Sequence, residues 1–332
     1  MNRLPFALIV AVIFGWTTSA QAPAQTPQLL PAVQLRFEDT LSKTVVRITA
    51  EAEGIDGTLN GTGFLVQVPE TRLSGDKVVV YLVTNRHVAK AMTPDATGRD
   101  VEHAIKRMDA TVNLVTPVNG NKAKSVPLPP KGPFHWHFPS DSSIDLAVIA
   151  FTMKDEYDAE RLPVSFFFTQ DVWKTYRIGP GDKVLTCGYF VHYAGAHQFQ
   201  PIIREGSLAM VPDDVMPVPI GGSAKIYLAD LHIIPGNSGS PLFLAPSFTM
   251  GGFITDSKGG IPYGLIGVVS GYMWEDSQLT LHAATDYEGT LRSNSGIATV
   301  VPADQLKELL FTPEMQTERD AAFEDYKRKN PN

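Results

Sequence analysis

Three residue types that together can activate a hydroxyl are spread along the 332-residue chain: His87, Asp145 and Ser238. Ser238 lies in IIPGNSGSPLF (233–243), where Gly-Asn-Ser-Gly-Ser-Pro separates two apolar runs. A serine hydroxyl is a weak nucleophile at neutral pH. It needs a base to take its proton and donors to hold the oxyanion that forms when it attacks a carbonyl. Gly236, two positions ahead, permits a tight bend, so the amides of Gly236 and Ser238 can point into one small cavity as an oxyanion hole. Gly239 is expected to clear space for substrate. Ser240 has Ser238 where that first glycine would stand, which makes it the weaker nucleophile. The hexapeptide alone is also a common Gly-rich turn between strands, so the partners decide. YLVTNRHVAKA (81–91) puts His87 just past an apolar strand. SSIDLAVIAF (142–151) puts Asp145 at the start of another. A buried carboxylate there can bind the far imidazole nitrogen and fix its tautomer. Asp141 competes for that place, and the strand-like LAVIAF after Asp145 favours Asp145. The order along the chain is His, Asp, Ser, the chymotrypsin-type order.

Strands must position these groups. TVVRITA (44–50), GFLVQV (63–68), KVVVYLVT (77–84), ATVNLVT (110–116), DLAVIAF (145–151), DKVLTCGYF (182–190), AKIYLADL (224–231), YGLIGVVSGYM (263–273) and GIATVVP (296–302) are short, rich in β-branched residues and set off by Gly, Pro, Asn and Asp. Few helical patterns lie between them, which predicts an all-β barrel or sandwich. Residues 116–143 and 245–262 read as Pro/Gly-rich surface excursions. PADQLKELL (302–310) predicts a short amphipathic helix. Thr312-Pro313-Glu314 then reads as an N-cap, a helix-starting proline and a first-turn acid of a charged terminal helix, expected to fray.

Composition narrows the class further. With 43% hydrophobic residues and 19% charged, the chain is ordinary globular material with ample length for a core. A net charge of −7 disfavours nucleic acid as a partner. Asn2-Arg3, an apolar stretch from Leu4 to Trp16 and small residues at Ala20 and Ala22 read as a secretory signal peptide over 1–22. The apolar run is too short for a comfortable membrane span, and no cysteine follows it to carry a lipid, so no stable membrane anchor is expected. Residues 23–40 read as a flexible lead-in. The single cysteine, Cys187, allows no intramolecular disulfide and reads as a buried small hydrophobe. His135 and His137 in HWH could be two metal ligands on one strand face. No third ligand stands at convincing spacing, so the pair reads as an aromatic cluster, with no metal and no organic cofactor expected. Gly61-Thr62-Gly63 precedes a strand and is not a nucleotide motif.

The pieces GTGFLV (61–66), LVTNRHVA (82–89), DLAVIAF (145–151), PGDKVLTCGY (180–189), REGSLAMV (204–211), ADLHIIPGNSGSPLF (229–243), YGLIGVVSG (263–271) and GIATVVP (296–302) fall in one family's order. In them the sequence resembles the trypsin-like serine proteases, and most the bacterial HtrA/Deg-type protease domain. GNSGSP also resembles the glutamyl-endopeptidase branch. The resemblance implies a chymotrypsin-like double β-barrel over 41–311, followed by a charged helix or tail over 312–332. It implies His87 and Asp145 from the first barrel, Ser238 from the second, and an oxyanion hole of the Gly236 and Ser238 amides. Thr84 would support the His87 turn. Ser270 and Gly271 would line the strand that pairs with substrate backbone. His232 would either line the pocket ahead of the cleaved bond or point away as a structural residue, the reading favoured here. No PDZ-like domain is expected after the protease domain. Asn237 stands where digestive relatives carry an aspartate for zymogen activation, so that device is not expected. The implied activity is an exported, periplasmic or secreted serine endopeptidase that acts on protein or peptide without a cofactor. The alternatives are a catalytically silent peptide-binding module, or an esterase with the same three residues.

Overall fold

The computed structural model describes residues 37–73, 77–95, 100–128, 135–218, 220–245, 264–281 and 287–329. The expected signal peptide and most of the lead-in lie outside the described residues, as does nearly all of the 245–262 excursion. The described residues belong to one compact unit, Arg36–Asn332. Among them no helix is long and apolar enough to cross a membrane.

A short helix, α1 (Phe37–Thr44), takes up the last residues of the expected lead-in. Its Leu41 is buried, and the Phe37 ring meets Phe243 edge-on at 5.5 Å. The first half of the unit then runs through β1 (Val45–Ala52), β2 (Leu59–Pro69), β3 (Val78–Thr84), the one-turn helix α2 (Arg86–Ala89), β4 (Ile105–Val118), β5 (Asn121–Pro127) and β6 (Ala147–Ala150). They form a sheet in the order β5-β4-β1-β2-β3-β6, with Leu162–Pro163 added parallel to β2. No ladder closes this sheet among the described residues. The chain leaving β6 returns to β4 instead, where the Val115 N–H donates to the Glu156 carbonyl and the Asp158 N–H to the Asn113 carbonyl, both at 2.9 Å. The expected excursion over 116–143 is in part a hairpin. Asn119 and Gly120 have φ of 52° and 78°, the left-handed pair that a two-residue turn between twisted strands requires.

The second half is a closed barrel. Helix α3 (Gln170–Tyr176) precedes β7 (Lys183–Gly188), β8 (Ile202–Met210), β9 (Tyr227–Asp230), β10 (Pro241–Leu244), β11 (Gly264–Leu281) and β12 (Tyr287–Pro302). The barrel order is β7-β8-β9-β12-β11-β10. β11 and β12 continue past the barrel as a ribbon, paired from Trp274↔Asn294 to Leu281↔Tyr287, well beyond the strands expected from periodicity. The all-β class and two-part plan are those expected.

Among the described residues three large apolar cores hold the unit, beside a small one at Ala224, Ile226 and Leu228. One fills the first sheet around Ile48, Leu82 and Ile149. One fills the barrel around Leu208, Tyr227 and Val300. The third joins the halves through Phe64, Tyr81, Cys187 and Phe243. Helix α4 (Ala303–Leu310) seals that junction with Leu306, Leu309 and Leu310, three residues that share a helix face. The expected charged terminal helix is α5 (Pro313–Lys329), and it is docked at its N-terminal half. Met315 is fully buried in the junction core, and Arg319 is 4% exposed. The Arg319 guanidinium donates to the Leu310 carbonyl at 2.7 Å and to the Tyr81 hydroxyl at 3.3 Å. Arg72 reaches out from the first sheet to Asp320 at 2.7 Å and lies over the Phe323 ring at 4.2 Å. A charged helix is therefore held by one apolar and one cationic anchor at i and i+4, not by a wide apolar stripe. Replacing Arg319 by Ala leaves the Leu310 carbonyl without its charged donor. Urea unfolding is expected to show a loss of about 2–3 kcal/mol.

Candidate active site

His87 is placed by the end of β3 and the turn of α2. Asn85 ends the extended run at φ −85° and ψ 154°. Its side-chain amide donates to the Asp145 carbonyl at 2.8 Å. The next turn sets the His87 backbone N–H 3.1 Å from Asp145 Oδ1, and the ring Nδ1 2.8 Å from Asp145 Oδ2. Asp145 is 4% exposed, so its charge depends on these donors. With Nδ1–H donating its hydrogen bond to the carboxylate, a neutral His87 leaves the Nε2 lone pair free to accept a proton. Burial by itself lowers the His87 pKa. The Asp145 charge and hydrogen bond outweigh it, Asp100 adds a weaker pull, and the net direction is upward.

Asp141, the competing carboxylate, is turned elsewhere. Its Oδ1 accepts from the Ser143 N–H at 2.8 Å and the Ser143 hydroxyl at 2.6 Å, closing a local turn. Arg86 ties down the loop that leads to Asp145. Its guanidinium donates to the carbonyls of Pro139 at 2.6 Å, Asp141 at 3.2 Å and Ile144 at 3.3 Å, and lies 5.1 Å from the Phe138 ring centre. The residue next to His87 thus gathers the chain that delivers its carboxylate.

The segment around Ser238 is held by Asn237 and Thr62. Asn237 is buried; its Oδ1 accepts from the Ile234 N–H at 3.0 Å, and its Nδ2 donates to the Tyr189 carbonyl at 2.8 Å. Thr62 Oγ1 donates to the Gly236 carbonyl at 2.7 Å and accepts from the Tyr189 N–H at 2.8 Å. The Thr62 N–H donates to the Ser238 carbonyl at 2.8 Å. Gly236 has φ +96°, and a Cβ there would come 2.9 Å from the Tyr189 ring. Among the described residues the N–H groups of Gly236 and Ser238 donate to no acceptor, as an oxyanion hole requires. Gly239 has a reason other than substrate clearance. At φ +87°, a Cβ would lie 2.0 Å from the Thr62 carbonyl oxygen and 2.4 Å from Thr84 Oγ1. Its absence lets the Ser238 loop press against the first sheet.

Ser238 is half-buried, whereas Ser240 is fully buried. The Ser238 hydroxyl lies 3.5 Å from the Ser270 carbonyl, a loose contact. Among the described residues no hydrogen bond joins it to His87, so the structure brings His87 to Asp145 but does not link Ser238 to them through its hydroxyl. Ser270 turns its own side chain to Thr299 Oγ1 at 3.0 Å, leaving its carbonyl towards Ser238. Gly271 pairs with Thr299 after a shift in register. His232 is exposed between the buried Leu231 and Ile233. Thr84 supports the site at one remove, its hydroxyl donating to the Thr62 carbonyl at 2.7 Å. Cys187 is fully buried, and burial pushes its thiol far above the ordinary range, which suits a packing residue.

No protein-family model matches the chain, and no curated protein does. Solved structures do. The chain is similar to Deg5, at 19% identity over 82% of this chain and 88% of that one, with a TM-score of 0.44. It is similar to the MamO protease domain from Magnetospirillum magneticum, at 13% identity over 82% and 97%, with a TM-score of 0.43. It is similar to the active form of the Rv3671c protease from M. tuberculosis, at 18% identity over 90% and 93%, with a TM-score of 0.44.

Sequence reasoning missed Thr62, Arg86 and Asp100. Thr62 was visible only as the middle of a Gly-Thr-Gly run, whose small neighbours permit close approach. Replacing Thr62 by Val keeps the shape but leaves the buried Gly236 carbonyl and Tyr189 N–H unpaired. Chemical denaturation is expected to show a loss of about 2–4 kcal/mol, with less Ser238 reactivity in the folded fraction.

Proposed function

We propose that the chain is an exported serine endopeptidase that works through an acyl-enzyme. Ser238 Oγ attacks the substrate carbonyl while His87 Nε2 takes the hydroxyl proton. The carbonyl oxygen becomes an oxyanion held by the Gly236 and Ser238 N–H groups. His87 then gives its proton to the leaving amine as the peptide bond breaks. Water, deprotonated by His87, attacks the ester, and Ser238 regains its proton. Asp145 keeps the imidazole in the tautomer this needs and stabilises the imidazolium. The backbone of Ser270 and Gly271 takes the substrate strand, and His232 lines the pocket ahead of the cleaved bond. The leader-like residues 1–22 support export.

The observation that carries this reading is the double contact of His87 with Asp145, through both its main-chain N–H and Nδ1. One observation favours a second reading, a retained fold that holds peptides without cutting them: the Ser238 hydroxyl faces the Ser270 carbonyl. Fluorophosphonate labelling separates the two. Under the first reading the wild type and Ser240→Ala are labelled and Ser238→Ala is not. Peptidase activity in Ser238→Ala falls by roughly 10⁴-fold or more. A wild type that stays unlabelled and inactive supports the binding module.

The pH profile follows from the His87 environment. Catalysis needs the neutral imidazole, so kcat/KM rises with pH, with its midpoint above the ordinary value of 6.5. The charge of Asp100 helps hold that pKa up, so Asp100→Asn is expected to move the acid limb to lower pH. A limb that stays in place, or moves up, contradicts the assignment.

A further inference from the structure

The two histidines of HWH acquire partners that lie far along the chain. The stretch at 135–137 is extended, and His137 exchanges backbone hydrogen bonds with Val148 of β6 at 2.8 and 3.0 Å. Trp136 points into the core of the first sheet, so His135 and His137 share the opposite face, ring centres 4.3 Å apart. Against that face lies the first part of α5, carrying Glu314 and Glu318 at i and i+4. Glu314 Oε1 is 3.2 Å from His137 Nδ1 and 3.7 Å from His135 Nε2. One atom each from His135, His137 and Glu314 lie within 4.8 Å of one another.

We propose that His135, His137 and Glu314 bind a divalent zinc ion that fastens α5 to the edge of the first sheet. Bonds of about 2.0–2.2 Å to nitrogen and oxygen make the edges of a tetrahedral site about 3.3–3.5 Å, close to the two separations involving Glu314. His135 and Glu314 are exposed, so their side chains can close the remaining distance. His137 is the fixed member, its side chain only 3% exposed.

The independent sign is at His137. Neither of its ring nitrogens makes an aligned hydrogen bond, and neither do the carboxylate oxygens of Glu318, although Glu318 Oε2 is 2.7 Å from His137 Nε2. A neutral imidazole has one N–H and one lone pair, and here both nitrogens face carboxylates. A cation between Nδ1 and Glu314 removes the clash of lone pairs and leaves the Nε2 proton for Glu318. That is the usual outer arrangement of a metal-bound histidine, with a carboxylate orienting the ring. Two nitrogens and one carboxylate suit zinc, and water fills the fourth position. The site is separate from Ser238 and has no part in the proposed hydrolysis.

The test is calorimetric titration of the chain, made without a polyhistidine tag, with zinc chloride. The expected result is one zinc per chain and a zinc-dependent rise in Tm of roughly 5 °C or more at a hundredfold excess over Kd. His135→Ala and Glu314→Gln, both at exposed positions, are expected to weaken binding at least tenfold while the metal-free Tm stays at the wild-type value. Glu318→Gln is expected to weaken it about tenfold with the stoichiometry kept. A wild type that takes up no zinc overturns the proposal, and so does wild-type affinity in His135→Ala or Glu314→Gln. In either case the cluster is an ion-paired clamp without a metal.

Discussion

Thr62 is fully buried, and its polar groups together reach three other segments of the chain. Its N–H reaches the Ser238 carbonyl, its carbonyl receives the Thr84 hydroxyl, and its own hydroxyl bridges the Tyr189 N–H and the Gly236 carbonyl. Those contacts connect the strand that ends just before His87, the first strand of the barrel, and the loop that carries Ser238. In a buried, low-dielectric setting an unpaired polar group is expensive, so the contacts form together or not at all. The glycines at 236 and 239 follow from this constraint. One turns beside the Tyr189 ring, and the other lets the loop backbone approach the Thr62 carbonyl more closely than any side chain would permit.

The first sheet meets a second requirement, which is to keep a carboxylate buried next to an imidazole. A buried carboxylate is tolerable only with donors, and Asp145 has two from His87. Arg86 completes the arrangement by drawing in the carbonyls of the loop ahead of Asp145. The cost of a neutral site would be a wandering imidazole. The cost of this one is the burial of charge, offset by α2 and its neighbours. Helices α4 and α5 then cover the junction core, with Arg319 and Met315 as anchors.

Much of this was legible in the sequence because strand period and β-branched content report directly on sheets. The strands flanking His87, Asp145 and Ser238 were of this kind, and the preference for Asp145 over Asp141 rested on the apolar run that follows it. The hairpin at Asn119-Gly120 was also written there, but the surrounding prolines and polar residues concealed it. Other features were illegible for a physical reason. The role of Thr62 is made of contacts to residues up to 176 positions away, as between Thr62 and Ser238, and no local pattern encodes them. The docking of α5 was hidden because its buried face is two residues wide. The partners of His135 and His137 were hidden because Glu314 becomes their neighbour only once α5 has docked.

Under the proposed function, Thr62 and Asn237 hold the Ser238 loop so that the free amides of Gly236 and Ser238 can receive an oxyanion. A crystal structure of the chain after reaction with a peptidyl phosphonate tests it most directly. The expected adduct has phosphorus bonded to Ser238 Oγ, with one phosphoryl oxygen about 2.7–3.1 Å from both amides. His87 is expected beside the adduct, with Thr62 still bonded to the Gly236 carbonyl. An adduct whose phosphoryl oxygen points to solvent, or a loop released from Thr62, would contradict it.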